Sequence, residues 1–385
     1  MNIRETDLTG AWVQPGFERL EIVRSAERFA AIEPAWTRLW RRAEGLIFQS
    51  HDWISAWWTH AADKHRRGLL IALAWNGDEL VGVLPLATHR SRGLRMLEWA
   101  AKDHTDYCDA LLAPDCPDGL LQRLWDHLSD AGGFDLVLLN RMLPDAQARR
   151  LLDVRGRVLL ATNHRSEVSV RISGSWADGA AWFDEQSKKT RQNYRRATKH
   201  LTELGETKFR LVPLDEDLSP HLERLAALKR KWLARNSLQS DLFDEESSTL
   251  AALVDVLKAA GLLRVFVLEC KGVVIAISIN FVQAGAMMAF VTTYDPDFER
   301  GSPGMVLMMD YIQWSIDNGL TCVDFLCGAE AFKQRFATHS VTLASGMGTR
   351  TLPGAVMLFA DRARYSFRQA RLRLASQSQD ATADA

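Results

Sequence analysis

Lys333 stands three residues after Glu330 in VDFLCGAEAFKQRFA (323–337), so on a helix the two share a face. A lysine so placed can neutralise a phosphate, steady a developing oxyanion or, with its own pKa lowered, move a proton. The plainer alternative is a solvated intrahelical ion pair. A second set lies in KDHTDYCD (102–109), where Asp103, His104, Asp106, Tyr107 and Asp109 crowd one loop between strand-like runs. Loops carry functional groups more often than strands do. Asp106 is the candidate base there, taking a proton from an attacking hydroxyl or amine, and Tyr107 a candidate substrate contact. Asx-type turn bonding by Asp103 and Asp106 would explain the same residues without chemistry.

Two further stretches suit anions. In TTYDPDFERGSPGMVLMMDYIQWSIDNG (292–319) a strand enters a Gly/Pro/Ser turn that opens a helix. Helix N-termini carry unpaired amides and partial positive charge, and glycine lets a ligand approach the backbone. Arg300, Gly301, Ser302, Gly304 and Met305 are therefore candidates for a diphosphate. Pro303 has no amide to offer, and the segment is neither a Walker A nor a GxGxxG sequence. Ser302 as N-cap with Pro303 at the first helical position is the structural reading. In SKKTRQNYRRATKHL (187–201), six of the twelve residues from Lys188 to Lys199 are basic and none is acidic. On a helix Lys188, Arg191, Arg195 and Lys199 project to one side, opposite Tyr194, Ala197, Leu201 and Leu204. Arg191 and Arg195 could clamp the phosphates of a nucleotide, a lipid pyrophosphate or an RNA; otherwise the run is a solvated face. Trp53, Trp57 and Trp58 cluster, and Trp57 either lines a groove or packs a core.

Whatever these residues do, the rest of the chain must position them. It has 385 residues, 47% hydrophobic and 25% charged, the balance of a globular protein of about two domains. Lys and Arg total 47 against 48 Asp and Glu, a net charge of −1, which excludes a global polyelectrolyte role. No apolar run approaches the ~18 residues of a membrane span, and the N-terminus lacks a secretory h-region. Five cysteines without a CxxC pair argue against a zinc site or a disulfide framework and for a reducing cytoplasm. No metal is expected, and no HExxH or GxSxG sequence occurs.

The pattern of elements is α+β. Helices are expected over 27–43 and after a Ser50 cap. A hairpin follows about Asn76-Gly77 (69–75 and 80–87), then short strands at 94–99 and 107–112, a helix at 117–131 and a strand at 134–140. The second half repeats this plan, with helices at 177–204, 218–235 and 244–260. A meander over 262–270, 273–282 and 286–294 leads to a helix at 305–318, a strand at 322–327 and a helix at 330–337. The helix at 355–374 sets Val356, Phe359, Ala363, Phe367 and Leu374 on one side, with arginines elsewhere. It suits either an anionic membrane surface or, as is commoner, packing on its own domain.

Five blocks in order, FQSHDWISAWWTH (48–60), HTDYCDALL (104–112), TRQNYRRATKHL (190–201), YDPDF…SPGMVL (294–307) and DFLCGAEAFKQRF (324–336), resemble the CelD/BcsL-like acetyltransferases. This is a GNAT-superfamily group associated with exopolysaccharide and cellulose biosynthesis, and its architecture is similar to the FemAB-type aminoacyl transferases. Gly328, Glu330, Phe332 and Lys333 match the family's G-x-E-x-[YF]-K block, and Arg300–Met305 fits the CoA-binding Q/R-x-x-G-x-G/A pattern in part.

The resemblance implies two tandem GNAT-like domains with mixed, mostly antiparallel sheets. They would span 18–165 and 166–375, the second binding the donor, with a disordered tail at 376–385. It implies acetyl-CoA or another acyl-CoA as donor. The acceptor would be a small molecule or glycan, an amine or hydroxyl of a sugar or lipid-linked precursor, with peripheral contact to membrane-bound polysaccharide machinery. Lys333, Asp106 and Glu330 are then the catalytic candidates. An aminoacyl-tRNA donor is the alternative favoured by the basic helix, and a non-catalytic scaffold that favoured by the imperfect donor motif.

Overall fold

The hairpin about Asn76-Gly77 forms as its turn residues dictate: Ile71–Asn76 pairs antiparallel with Glu79–Leu84, and Gly77 takes φ 57°. Pro85 has no N–H for a ladder and divides the following run. Glu79–Leu84 stays in a four-stranded sheet with Glu18–Val23, Ile71–Asn76 and Leu111–Leu112, whereas Leu86–Ser91 joins a larger, twelve-stranded sheet. The computed structural model describes residues 18–61, 64–163, 167–245 and 247–383, with side chains of the last helix described through Arg368.

Each half has the same order. A helix pair (Ala26–Ala31 and Glu33–Arg42; Gly179–Glu185 and Lys188–Leu204) precedes an antiparallel meander. A helix (Leu120–Ala131; Pro303–Asp317) then leads to a last strand (Leu136–Met142; Cys322–Cys327) lying parallel to the end of the meander. Both helix pairs were expected as single helices. Pro34 restarts the first, and Ser187 restarts the second by accepting the Thr190 amide at 3.1 Å.

The strand His339–Thr349, unexpected from sequence, pairs with Glu167–Ser173 on one side and Leu136–Met142 on the other, knitting both halves into one sheet. Glu18–Val23, Glu167–Ser173 and Thr207–Val212 were also unexpected. The stretch 376–383, expected to be disordered, continues the helix Leu352–Ala383; its alanines and glutamine favour that state. Residues 384 and 385 lie outside the described residues.

The second-half sheet is covered on both faces. Leu201, Leu307, Met309 and Ile312 bury against Phe266, Ile275 and Met287 on one face. Leu225, Leu228, Leu253 and Leu257 bury against Val265, Ile277 and Ile279 on the other, in a core continuous with the first half. Trp53 and Phe48 of the first half meet Phe290 and Phe281 edge-on at 5.5 and 5.6 Å. The Gln283 side chain joins the same seam, accepting from the Ile47 amide (2.9 Å) and donating to Gly45 O (3.0 Å).

Candidate active site

The two halves differ where their parallel strands meet. In the second half, Ala286–Tyr294 pairs with Cys322–Cys327 only at Ala286–Met288 and Cys322–Asp324, after which the ladder stops. Both edges carry a bulge: Phe290 is the extra residue opposite Ile279 and Asn280, and Phe325 and Leu326 together oppose Val170. Leu326, buried and not glycine, sits at φ 57°, an uncommon conformation held by its amide donating to Asp324 Oδ1 at 2.8 Å.

In the first half the ladder likewise stops after Met96–Leu97 and Leu136–Val137, but the 102–108 loop fills the gap. There Cys108 donates to Arg141 O (3.0 Å), and the Arg141 guanidinium donates to Lys102 O and Thr105 O (3.1 and 2.8 Å). In the second half, among the described residues, no main-chain hydrogen bond joins 289–294 to 325–327, which leaves main-chain groups there without a strand partner.

A cavity of about 520 Å³ is lined by Asn193, Arg196, Ala197, His200, Arg300, Ser302, Met305 and Arg335, around the turn whose Gly304 lies against the Tyr294 ring at the end of Ala286–Tyr294. Its floor is the start of the helix Pro303–Asp317, one wall is the helix Lys188–Leu204, and its cations suit a diphosphate. The segment Arg300–Met305 does border this space, yet its backbone is less bare than expected. Ser302 N donates to Glu299 O, and Met305 N and Val306 N both donate to Ser302 O. The glycines serve packing: a Cβ on Gly301 would lie 2.3 Å from Leu201, and one on Gly304 3.0 Å from the Tyr294 ring. Arginine side chains therefore carry most of the positive charge that the helix end was expected to supply.

The basic helix presents a different face from the expected one. Arg191 pairs with Asp184 at 3.3 Å, and Arg195 lies 5.8 Å over the Phe183 ring, so neither lines the cavity. Asn193, Arg196, Ala197 and His200, at i, i+3, i+4 and i+7, do. Leu204, expected in the core, is 40% exposed. The helix is tied to the cavity floor by Tyr194 OH, which donates to Asp310.

Burial raises the Asp310 carboxyl to about 6, above its ordinary 3.8, so the folded state holds this proton more tightly than the unfolded chain. Its contribution is therefore fullest below pH 3.8 and is lost as pH rises through 6. Relative to wild type, Asp310→Asn should gain up to about 3 kcal/mol between pH 4 and 7.5. Urea midpoints across that range would measure it; a difference flat in pH would refute it.

Asp106 and Lys333 come together across the two halves by gripping opposite ends of Cys327. Asp106 Oδ1 accepts the Cys327 amide at 3.1 Å, and Lys333 Nζ donates to Cys327 O at 2.9 Å while pairing with Glu330 at 3.0 Å. Burial pushes the Asp106 carboxyl up against the pull of Arg141. Gly328, at φ 109°, lets the chain turn from the strand toward Glu330, whose carboxylate would stand 2.6 Å from a Cβ there. Sequence reasoning missed Lys229, which lies 4.9 Å over the Trp232 ring and 5.7 Å over Phe243, with its pKa lowered by burial, against the opposing pull of Glu330 and with a smaller push from Lys333.

Two expected substrate contacts are instead structural. Trp57 is 1% exposed in the core. Tyr107, equally buried, donates its hydroxyl to both Asp324 oxygens at 2.7 and 2.8 Å, while Arg171 Nε pairs with Asp324 at 2.8 Å. This group closes the base of the seam with one residue from the first half and two from the second. Neither Trp57 nor Tyr107 presents a free face to a ligand.

Several solved structures share this architecture. L-PGS from Bacillus licheniformis matches over 86% of this chain and 95% of its own, at 11% identity and TM-score 0.52. FemX matches over 84% and 96%, at 10% identity and TM-score 0.51. A protein of unknown function from Bacteroides thetaiotaomicron matches over 86% and 100%, at 10% identity and TM-score 0.50. At such identity the likeness is one of fold. No curated protein matches the sequence. Residues 188–334, which hold the basic helix, the cavity floor, the interrupted ladder and Lys333, match the acetyltransferase (GNAT) domain family. Residues 188–334 are thus similar to a GNAT-type acetyltransferase domain, and the chain folds as two GNAT-like halves of mixed, mostly antiparallel sheet.

Proposed function

We propose that the protein transfers an acyl group from acyl-CoA to an amine or hydroxyl acceptor, a sugar or lipid-linked precursor, in keeping with the resemblance of its five sequence blocks to acetyltransferases associated with exopolysaccharide and cellulose biosynthesis. The observation that carries this reading is the arginine-lined cavity around the turn that follows the unpaired stretch of Ala286–Tyr294. Arg196, Arg300 and Arg335 would hold the donor's diphosphate. The thioester would then reach the seam, where main-chain amides freed by the Phe290 bulge polarise its carbonyl. The acceptor attacks that carbonyl and the thiol leaves. Lys333 supports the developing charge, and Asp106 holds the Cys327 turn or takes the acceptor's proton.

The basic run 188–199 and the fold shared with FemX and L-PGS favour a second reading, with aminoacyl-tRNA as donor. The two separate in one experiment. Acetyl-CoA at about 100 times its dissociation constant should stabilise the protein by ~2.7 kcal/mol, with thiol release once an acceptor amine is supplied. No shift with acyl-CoA, together with salt-dependent tRNA binding, would overturn the first reading in favour of the second.

A further inference from the structure

Through Arg368, where its side chains are described, the helix Leu352–Ala383 leaves the Leu352–Phe367 apolar stripe exposed rather than packed on its own domain, the commoner arrangement and the one expected. It is anchored near its start, where Gly354 lies so close to Asp135 O that a Cβ would stand 2.2 Å from it, and where Arg350 Nε donates to Ser129 O at 2.9 Å. Beyond this, Leu352, Val356, Phe359 and Phe367 are 83, 70, 77 and 74% exposed. With Ala363 they follow at steps of four, three, four and four residues, one continuous stripe.

We propose that this helix docks the protein in the plane of an anionic lipid surface. Charge identifies the occupant. From 352 to 374 there are five arginines and one aspartate, a net +4 in a chain whose total is −1. At 100° per residue Arg362 falls on one flank of the stripe and Arg364 on the other. Long cationic side chains there can reach headgroup phosphates while the phenylalanines enter the acyl boundary. A second copy fits less well, because two such helices packed stripe to stripe would set arginine against arginine with Asp361 as the one acid between 352 and 374. Among the described residues no helix is long and apolar enough to cross a membrane, so the attachment is peripheral and reversible.

Sedimentation of the full chain with vesicles tests this. Vesicles containing phosphatidylglycerol should pellet the protein about tenfold better than phosphatidylcholine alone, and salt should weaken that preference. Phe359→Ser with Phe367→Ser should abolish binding to both, whereas Arg362→Gln, Arg364→Gln and Arg368→Gln should remove only the preference. These side chains are exposed, so melting temperatures serve as the folding control. Failure to pellet with anionic vesicles overturns the proposal, as does binding indifferent to the phenylalanine changes. A concentration-dependent dimer lost on Phe359→Ser, without vesicle binding, would assign the stripe to a second copy instead. None of these outcomes depends on which donor the active site uses.

Discussion

A protein carrying Arg196→Glu and Arg335→Glu is expected to bind acyl-CoA at least about 100-fold more weakly than wild type, with its unliganded melting temperature unchanged. Both side chains line the cavity and both residues are exposed, so reversing them costs the fold little. Each loses a charge-assisted bond worth ~1.5–3 kcal/mol and adds repulsion to a diphosphate. The informative control is Arg191→Glu with Arg195→Glu. It changes the net charge equally, on the helix that carries Arg196, but acts outside the cavity, and should leave acyl-CoA affinity within about threefold, the scale of a screened surface charge. Titration calorimetry on the two double variants separates a built site from general basicity. Equal losses in both would show that only the helix's overall charge matters, and would favour RNA as the ligand.

The contrast between these pairs shows what the sequence could and could not reveal. A basic run is visible by residue type, so attention falls on the most densely charged side, Arg191 and Arg195. The face that meets the cavity is half uncharged, and it is set by Ala197 packing inward and by Gly301 admitting Leu201. Ala197 was legible as a core residue; the signal passed over was that Asn193, Arg196 and His200 keep helical step with it. Strands with a local partner were legible: Asn76-Gly77 and Lys271-Gly272 mark hairpins whose two runs stand next to each other. HSVTLASGMGT, the strand His339–Thr349, is polar and glycine-bearing, and its partners lie some 170 and 200 residues earlier, so no local pattern announces it. The bulges that flank the interrupted ladder, at Phe290 and at Phe325-Leu326, have no sequence signature. Lys333 and Glu330 read correctly as neighbours, but Cys327 as the residue joining Lys333 to Asp106 belongs to tertiary structure alone.

Arg171→Met should be the most destabilising single change at the junction of the halves, costing about 3–5 kcal/mol at pH 7.5. Asp324 is 2% exposed, accepts from Tyr107 and from the Leu326 amide, and forms an ion pair at 2.8 Å with the Arg171 guanidinium, which also stands 5.6 Å over the Tyr107 ring. Burial already raises the Asp324 pKa, and Arg171 is the chief opposing pull. Removing the cation leaves a buried carboxylate with dipoles but no counter-charge, so its folded-state pKa climbs further above the unfolded value. A carboxyl that binds its proton more tightly when folded makes stability fall as pH rises. The deficit of Arg171→Met should therefore shrink on acidification toward pH 5, and Asp324→Asn added to it should recover part of the loss at neutral pH. Tyr107→Phe removes one hydrogen-bond donor without stranding a charge and should cost only about 1–2 kcal/mol. Urea unfolding of the wild type, Arg171→Met, Asp324→Asn and their double variant, with Tyr107→Phe alongside, at two pH values gives the cycle directly. A loss below about 1 kcal/mol for Arg171→Met, or one indifferent to pH, would mean that the carboxylate is already protonated in the wild-type fold. The group closing the seam would then be a neutral hydrogen-bond network, and the guanidinium would be free to serve whatever enters above it.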